Sequence, residues 1–195
     1  MRVFYLMRHG QTLFNLRRKI QGVSDSPLTE LGIKQAEAAR EYFDDIEFDY
    51  LYASTSERAS DTLEIATRNR MPYTRLKSIK EMNFGIYEGE SEDLNPKWTD
   101  GYDMVFPRVG GESREDVKNR MREACIGIME QDNHNTVLAV SHAGACLHFL
   151  RNWADQETID HIFATGGFAN CTILKFAYDD MKFEFLEIIR PQVQV

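Results

Sequence analysis

Short runs of consecutive apolar residues alternate with helix-like patterns along this chain, and that alternation restricts its fold more than any other feature. Residues 3–7 read VFYLM and residues 136–140 read TVLAV, as is typical of strands buried on both faces of a parallel sheet. Two final runs, 171–178 and 182–189, are joined by a polar turn and predict an antiparallel hairpin. The order of elements predicts an α/β fold with a mostly parallel sheet and one antiparallel edge.

Helical spacing of apolar residues marks the segments between these strands. One helix is predicted from Thr29, a candidate N-cap, to about Phe43, with Ile33 on its apolar face. A second is predicted from about Ser56 to Arg68, and Ser54 with Glu57 has the spacing of a capping box. The other predicted elements are a strand at 50–53, a long helix that begins near 113 with Ser113 and Asp116 at capping-box spacing, and a helix over about 143–152.

Length, composition and charge exclude several classes of protein. The 195 residues, 43% of them apolar, suit one domain over residues 1–195 with a buried core, and no repeat or linker divides the chain. With 23 basic and 31 acidic side chains the net charge is −8, which argues against a nucleic-acid partner. The same charge would repel a small anionic substrate at long range, so composition alone favours no substrate.

Cysteine usage and apolar run length bear on the compartment. Cys125, Cys146 and Cys171 are widely spaced and form neither a CxxC pair nor a zinc motif, so we expect free thiols and no metal site. The first apolar run is interrupted at Arg8, too early for a signal-peptide core, and no run is long enough to span a membrane. We therefore expect a cytoplasmic protein with no membrane segment.

Charged residues follow several predicted elements at positions that would bring them together. Arg8 and His9 follow the first strand, and His142 follows the strand that ends at Ser141. Glu81 ends a short strand-like run at 78–80. Because ligands bind at the carboxyl ends of strands in open α/β sheets, we expect both histidines to share one crevice. Arg58, in the first turns of the second helix, is expected to reach the same place.

Together these residues suit phosphoryl transfer without a metal ion. Guanidinium groups match phosphate oxygens, and a neutral imidazole such as that of His9 is a competent nucleophile near pH 7. A protonated His142 would add positive charge, and a protonated Glu81 would give its proton to the leaving oxygen. Taken alone, each residue also has an ordinary structural explanation, such as a capped histidine or a solvated surface charge. Only their joint occurrence points to a site.

Ordered sequence blocks over nearly the whole chain resemble the histidine phosphatase superfamily, the phosphoglycerate mutase-like proteins. The similar blocks are LMRHGQT at 6–12 with Asn15, PLT at 27–29, Ser54 with Arg58, EMNFGIYEG at 81–89, GGES at 110–113, VSHAG at 140–144 and Asn170. The resemblance implies a three-layer α/β/α sandwich. It also implies an activity that needs no cofactor.

Carried over position by position, the resemblance also implies roles. His9 is the nucleophile that becomes phosphohistidine, and Glu81 is the proton donor to the leaving group and then the base for water. The positions implied to hold the phosphoryl group or to contact substrate are Arg8, Arg58, His142, Asn15, Gln21 and Ala143.

Three functions stay open within that resemblance. The acid block and the modest length are similar to the phosphatase branch, so we favour a phosphomonoesterase for a small phosphorylated metabolite. A cofactor-dependent phosphoglycerate mutase is the alternative, since a mutase must exclude water from the same intermediate. A silent binding protein is the third reading, although every implied catalytic position is occupied. A homodimer is also left open.

Residues 88–111 have weak periodicity and are expected to form a variable lid or binding loop. Its aromatic residues could form an apolar wall for substrate, and its cations could meet extra negative charge. An equally good reading is a surface excursion with its own small apolar cluster. The residues concerned are Lys97, Trp98, Tyr102, Phe106 and Arg108.

Overall fold

Six strands form one mixed sheet in the computed structural model, which describes residues 1–96 and 102–193. The strands are β1 (Arg2–Arg8), β2 (Tyr50–Ser54), β3 (Thr74–Leu76), β4 (Thr136–Ser141), β5 (Ile173–Asp179) and β6 (Lys182–Ile189). Their order across the sheet is β3-β2-β4-β1-β5-β6. The first four strands pair in parallel and the last two antiparallel, which confirms the predicted sheet.

Seven α-helices lie in the described part of the chain, together with short 3₁₀ turns. The helices are α1 (Leu13–Leu16), α2 (Glu30–Phe43), α3 (Glu57–Thr67), α4 (Tyr102–Arg108), α5 (Arg114–Met129), α6 (Ala143–Leu150) and α7 (Gln156–Ala164). None of the helices in these residues is long and apolar enough to cross a membrane.

The side chains of β1 show how the helices divide into two layers. Phe4 and Leu6 are fully buried in the core that α5, α6 and α7 share with the sheet. Tyr5 and Met7 point the other way, into the core formed with α2 and α3. Successive strand residues face opposite sides of a sheet, so β1 needs apolar residues at every position. The fold is a three-layer α/β/α sandwich.

Local signals at the helix starts were only partly interpreted correctly from sequence. Thr29 caps α2 by accepting the N–H of Gly32 at 3.0 Å, which confirms that prediction. Ile33, predicted on the apolar face of this helix, is instead 41% exposed. The helix packs closely through the buried Gly32, where a Cβ would lie 2.1 Å from the carbonyl oxygen of Gln11. The predicted capping box at Ser54 is wrong, since Ser54 ends β2 and Ser56 is the N-cap of α3.

Short elements escaped the sequence patterns. The strand-like run at 78–80 overlaps a 3₁₀ turn, Lys77–Ile79, that follows the short strand β3. Ile79 is fully buried in this turn. Because buried strand residues are apolar as well, the sequence pattern did not distinguish the turn from a strand. Periodicity also missed α1, a single turn, as well as α4 and α7.

The segment 88–111 contains a 3₁₀ turn, Glu92–Leu94, and helix α4. Phe106 in α4 is fully buried in the main core, with its ring 5.1 Å from that of Phe84, so it forms no exposed substrate wall. Arg108 is exposed. Lys97, Trp98 and the side chain of Tyr102 lie outside the described residues.

Candidate active site

The carboxyl ends of β1 and β4 bring the two histidines together. These strands are neighbours in parallel register, with Arg8 opposite Ser141. The N–H of His9 donates to the Ser141 carbonyl at 3.1 Å, which locks the two strand ends to each other. The imidazole rings of His9 and His142 lie with their centroids 5.2 Å apart. The two histidines therefore share one crevice, as the sequence predicts.

His9 is buried and its ring is held in one orientation. Its Nδ1 lies 2.7 Å from the carbonyl oxygen of Gly10, and because a carbonyl only accepts, Nδ1 carries the hydrogen. The lone pair of Nε2 accepts from Nε of Arg58 at 3.2 Å. Burial, followed by the charges of Arg58 and Arg8, lowers the pKa of His9 well below its usual value. The ring is therefore neutral, with its basic nitrogen at Nε2.

His142 is fully buried, and the same effects keep it neutral. Burial first, and then the charge of Arg58, lowers its pKa well below the usual value. This corrects the expectation of a protonated His142. Its Nε2 lies 2.7 Å from Oγ of Ser54, whose hydroxyl also accepts the N–H of Ser56. Its Nδ1 is buried and makes no hydrogen bond with any described residue.

Arg58 is fully buried and most of its guanidinium is bound by one loop. Its Nη1 donates to the carbonyl of Ser24 at 2.8 Å and to Oδ1 of Asp25 at 2.9 Å. Its Nη2 donates to the carbonyl of Gly22 at 2.8 Å. Rather than presenting an open fork, Arg58 faces His9 through its Nε edge.

Two further donors line the same crevice without a partner. Arg8 donates through Nη1 to the carbonyl of Phe168 at 2.5 Å, but its buried Nε makes no hydrogen bond in the described part of the chain. The Oε1 of Gln21 accepts from the hydroxyls of Thr12 and Ser26. This leaves the buried Nε2 of Gln21, again unpaired among the described residues. Buried donors of this kind are costly unless a ligand accepts from them.

Asn15 and Ala143 complete the implied contacts. Oδ1 of Asn15 accepts from the N–H of Thr12 and from Nδ2 of Asn170, which also donates to the His9 carbonyl. Asn170 thus ties the loop after β1 to the segment before β5. Ala143 is the first residue of α6, where N–H groups have no intrahelical acceptor.

Glu81 lies against the start of α6 and is 7% exposed. Its Oε1 accepts the N–H groups of Met82 at 2.8 Å and Ala145 at 2.9 Å. Among the described residues its Oε2 accepts a single hydrogen bond, from the N–H of Gly144 at 2.9 Å, so this oxygen keeps room for a proton. A Cβ at Gly144 would lie 2.6 Å from Oε1, so this glycine is what lets the carboxylate reach the helix.

These groups surround a cleft of about 230 Å³. It is smaller than the roughly 300–1,000 Å³ that is typical of sites for drug-sized ligands. The cleft is lined by Arg8, His9, Asn15, Lys19, Ile20, Gln21, Glu81, Phe84, Glu92, Asn95, Ala143 and Gly144.

Comparison with known proteins agrees with this geometry. Residues 4–190 match the histidine phosphatase superfamily, branch 1. The chain belongs to that superfamily. It is 31% identical over 147 residues to the uncharacterized phosphatase PhoE of Bacillus subtilis, which covers 74% of this chain and 73% of that protein.

Other members that it resembles have different names. The "Probable phosphoglycerate mutase GpmB" of Proteus mirabilis is 34% identical over 148 residues, covering 71% of this chain and 68% of the relative. The structure of Entamoeba histolytica phosphoserine phosphatase in complex with 3-phosphoglyceric acid has a TM-score of 0.79 and 25% identity over 96% of both chains. Relatives of this histidine phosphatase chain therefore include phosphatases and proteins named as mutases.

Glu88 supports the candidate site from outside the cleft, and sequence reasoning gave it no role. Its carboxylate accepts the N–H groups of Gly22, Val23, Ser24 and Phe84, and the Ser24 hydroxyl at 2.6 Å. Burial raises its pKa, but these hydrogen bonds outweigh burial and the net pKa is lowered. The ionised Glu88 thus fixes the loop whose carbonyls hold Arg58. Its place in the block at 81–89 was the only sequence signal.

Replacing Glu88 with Gln is expected to destabilise the loop and weaken the site. An amide cannot accept all five donors, so we expect the free energy of unfolding to fall by about 2 kcal/mol. Because Arg58 loses its support, kcat/KM should fall about tenfold or more as well. Urea denaturation and phosphate-release kinetics measure the two effects. Glu90→Gln, an exposed neighbour, is the control, and equal behaviour of the two variants would contradict this role.

The buried neutral histidines predict a loss of stability in mild acid. His9, His142 and His148 all have pKa values lowered by burial, to about 4 for His148. In the unfolded chain each titrates near about 6.5, so unfolding takes up protons below that pH. The stability that these neutral rings contribute is fully present above the unfolded pKa. It is lost progressively as the pH falls from the unfolded pKa toward the lowered folded pKa.

Between about pH 7.5 and 5.5 the free energy of unfolding should fall by about 1.4 kcal/mol for each histidine, which makes about 4 kcal/mol for the three together. Urea denaturation at several pH values in that interval measures this. His148→Asn should reduce the pH dependence by about one third, because one titrating group is removed. A free energy of unfolding that is constant over the interval would show that the three rings are not held neutral.

Proposed function

We propose that this protein is a metal-independent phosphomonoesterase that acts on a small phosphorylated metabolite through a phosphohistidine intermediate. The observation that carries this proposal is the buried, neutral His9, whose Nε2 lone pair accepts from the buried Arg58 at a cleft that Arg8 also lines. Positive charge stabilises the phosphoryl oxygens, while the same charge keeps the nucleophile unprotonated. A pocket built this way needs no metal ion to neutralise the phosphoryl group.

In the first step, Nε2 of His9 attacks phosphorus and the bond from phosphorus to the leaving oxygen breaks. Arg58 transfers the hydrogen bond of its Nε from His9 to a phosphoryl oxygen. Glu81 supplies a proton from Oε2 to the leaving oxygen. The other oxygens are held by Arg8 Nε, Gln21 Nε2 and His142 Nδ1, which are unpaired among the described residues. The N–H of Ala143 at the start of α6 and the side chain of Asn15 lie at the same cleft.

The hydrogen bond between Ser54 and His142 determines which ring nitrogen of the neutral His142 carries the hydrogen. If the Ser54 hydroxyl donates to Nε2 across the 2.7 Å contact, the hydrogen of the ring lies on Nδ1 and points to the phosphoryl group. His142 then stabilises charge by a hydrogen bond and does not need to be protonated.

In the second step, water attacks the phosphohistidine. The carboxylate of Glu81 takes the proton from that water, the bond from phosphorus to Nε2 breaks, and His9 returns to its neutral form with release of inorganic phosphate. Glu81 regains the proton that it gave in the first step, so the cycle is balanced.

A phosphoglycerate mutase is the second candidate, because the Proteus mirabilis relative at 34% identity carries that name. The two activities are separated by giving the purified protein 3-phosphoglycerate in the presence of EDTA. We expect free phosphate to appear faster than 2-phosphoglycerate. Faster interconversion would establish the mutase, activity abolished by EDTA would contradict the metal-free mechanism, and inactivity on every phosphate ester would favour a binding protein.

We propose that the segment 88–111 contributes to substrate selection within a single domain, residues 1–195. Glu92 and Asn95 line the cleft directly, while Phe106 anchors the segment in the core. Small phosphorylated substrates suit the size of the cleft. Screening a panel of phosphorylated metabolites for phosphate release identifies the substrate. We also propose a cytoplasmic location, which the buried, unpaired cysteines support.

A further inference from the structure

A second cavity, of about 470 Å³, is lined by residues of α5, α6 and α7 and by Asp103 of α4. It shares no lining residue with the cleft that contains His9. We call it the α5–α6 cavity. It is lined by Asp103, Ser113, Arg114, Glu115, Lys118, His148, Arg151, Ala154, Gln156 and Ile159.

The basic side chains of this cavity, three cations and one histidine, come from two adjacent helices. Arg114 and Lys118 are four residues apart on α5, and His148 and Arg151 are three apart across the end of α6. Residues at these spacings share one face of a helix, so the two pairs face each other across the cavity. Three cations meet two carboxylates here, whereas the whole chain carries a net charge of −8.

His148 is a buried polar side chain in the wall of this cavity. It is 5% exposed, lines the cavity, and its ring makes no hydrogen bond with any of the residues described. Burial and then the charges of Arg151 and Arg114 lower its pKa to about 4, so the ring is neutral. Arg120 from α5 acts in the same direction, and Asp103 from α4 opposes it.

Arg151 is a half-buried cation that shares the nearby carboxylate of Asp103 with Arg114. It forms no ion pair and no side-chain hydrogen bond within residues 1–96 and 102–193. Its pKa is lowered by burial and then by the neighbouring Arg114, while Asp103 acts in the opposite direction. Arg114 is itself bound by the carboxylate of Asp103, and Lys118 approaches Glu115 only to 3.7 Å. A desolvated cation beside a like charge is unfavourable, and a bound anion would remove that cost.

We propose that the α5–α6 cavity binds a small tetrahedral dianion of the phosphate or sulfate type, held by Arg114, Arg151 and His148. Donors converge from two helices, which suits oxygens that point in several directions better than a single planar carboxylate. Asp103 supplies the internal carboxylate that competes with this ligand for Arg114. The site is separate from the proposed catalytic cleft and does not depend on the reaction there.

Sulfate is the probe, because it is a dianion across the useful pH range and is not a product of phosphate ester hydrolysis. It is titrated into the full chain at constant ionic strength, and the Cε1–H resonance of His148 is followed by NMR, assigned with His148→Asn. We expect a saturable shift of that resonance. Arg151→Gln should weaken the fitted affinity about tenfold or more, because a charged hydrogen-bond donor is lost. Asp103→Asn should instead tighten binding, because the competing carboxylate is removed.

Arg122→Gln is the matched control, since Arg122 is exposed on α5 and lies outside the cavity. It should titrate as the natural sequence does. The proposal is overturned if the His148 resonance shows no saturable response, if Arg151→Gln and Arg122→Gln titrate alike, or if Asp103→Asn weakens binding. The resonances of His9 and His142 report any sulfate in the cleft separately, so failure at one site is distinguished from failure at the other.

Discussion

Replacing His9 with Ala is expected to lower kcat/KM for every phosphate ester by at least about 10⁴-fold, because the covalent route disappears. Ala has no lone pair to attack phosphorus, and no other described nucleophile lies beside the Nε edge of Arg58. Release of phosphate from an aryl ester measures the loss. A rapid acid quench of the natural protein during turnover should yield labelled phosphohistidine, and the variant should yield none.

His161→Ala is the matched control, because His161 is exposed at the end of α7 and lies away from the cleft. It should keep the activity of the natural sequence. His9→Ala should still bind inorganic phosphate, since Arg8 and Arg58 remain. Turnover by His9→Ala within about tenfold of the natural rate would refute the covalent mechanism.

The position of both histidines was predictable because it depends on local pattern alone. A buried strand and the polar residues that follow it can be recognised in sequence, and neighbouring parallel strands end at the same edge of the sheet. His9 and His142 follow β1 and β4, which are such neighbours. The same logic recovered the capping box at Ser113 and Asp116, because its two partners are three residues apart.

The features that could not be predicted from the sequence depend on contacts between residues that are far apart along the chain. Arg58 is bound by Asp25, 33 residues earlier, and Glu88 binds a loop about 65 residues before it. No periodicity links such positions. The charge of His142 was predicted wrongly for the same reason, because it is set by burial and by Arg58, 84 residues away in sequence and adjacent only in the fold.

The net charge of −8 can now be reconciled with an anionic substrate. Arg8 lines the small cleft and Arg58 contacts His9 beside it, whereas exposed acidic side chains act through solvent and are screened within about 8–10 Å at ordinary salt. Local cations therefore dominate the potential that a bound phosphoryl group meets. The acidic surface repels an anionic substrate only while the substrate approaches. Added salt screens this repulsion, so it should raise the rate of encounter and leave the rates of the chemical steps unchanged.

Replacing Glu81 with Gln should reveal its role through the leaving group. An alkyl phosphate needs a proton on its departing oxygen, so kcat/KM should fall by about 10²–10⁴-fold. An aryl phosphate with an acidic leaving group departs unaided, so its kcat/KM should change little. Its kcat should still fall, because Glu81 is also the base for water in the second step. Stopped-flow measurement should then show a burst of released phenol equal to the enzyme concentration, followed by slow turnover.

The geometry around Glu81 supplies the control for this experiment. The amide in Glu81→Gln keeps an oxygen for the N–H groups of Met82 and Ala145, but it turns its NH₂ group toward the N–H of Gly144. Gly144→Ala instead keeps the carboxyl group and displaces it, since the new Cβ would lie 2.6 Å from Oε1. Displacement alone should not separate acid from base, so this variant should lower the alkyl rate without a phenol burst. If Glu81→Gln reduced kcat/KM equally for aryl and alkyl phosphates, Glu81 would not be the acid, because an acid matters only where the leaving oxygen needs its proton.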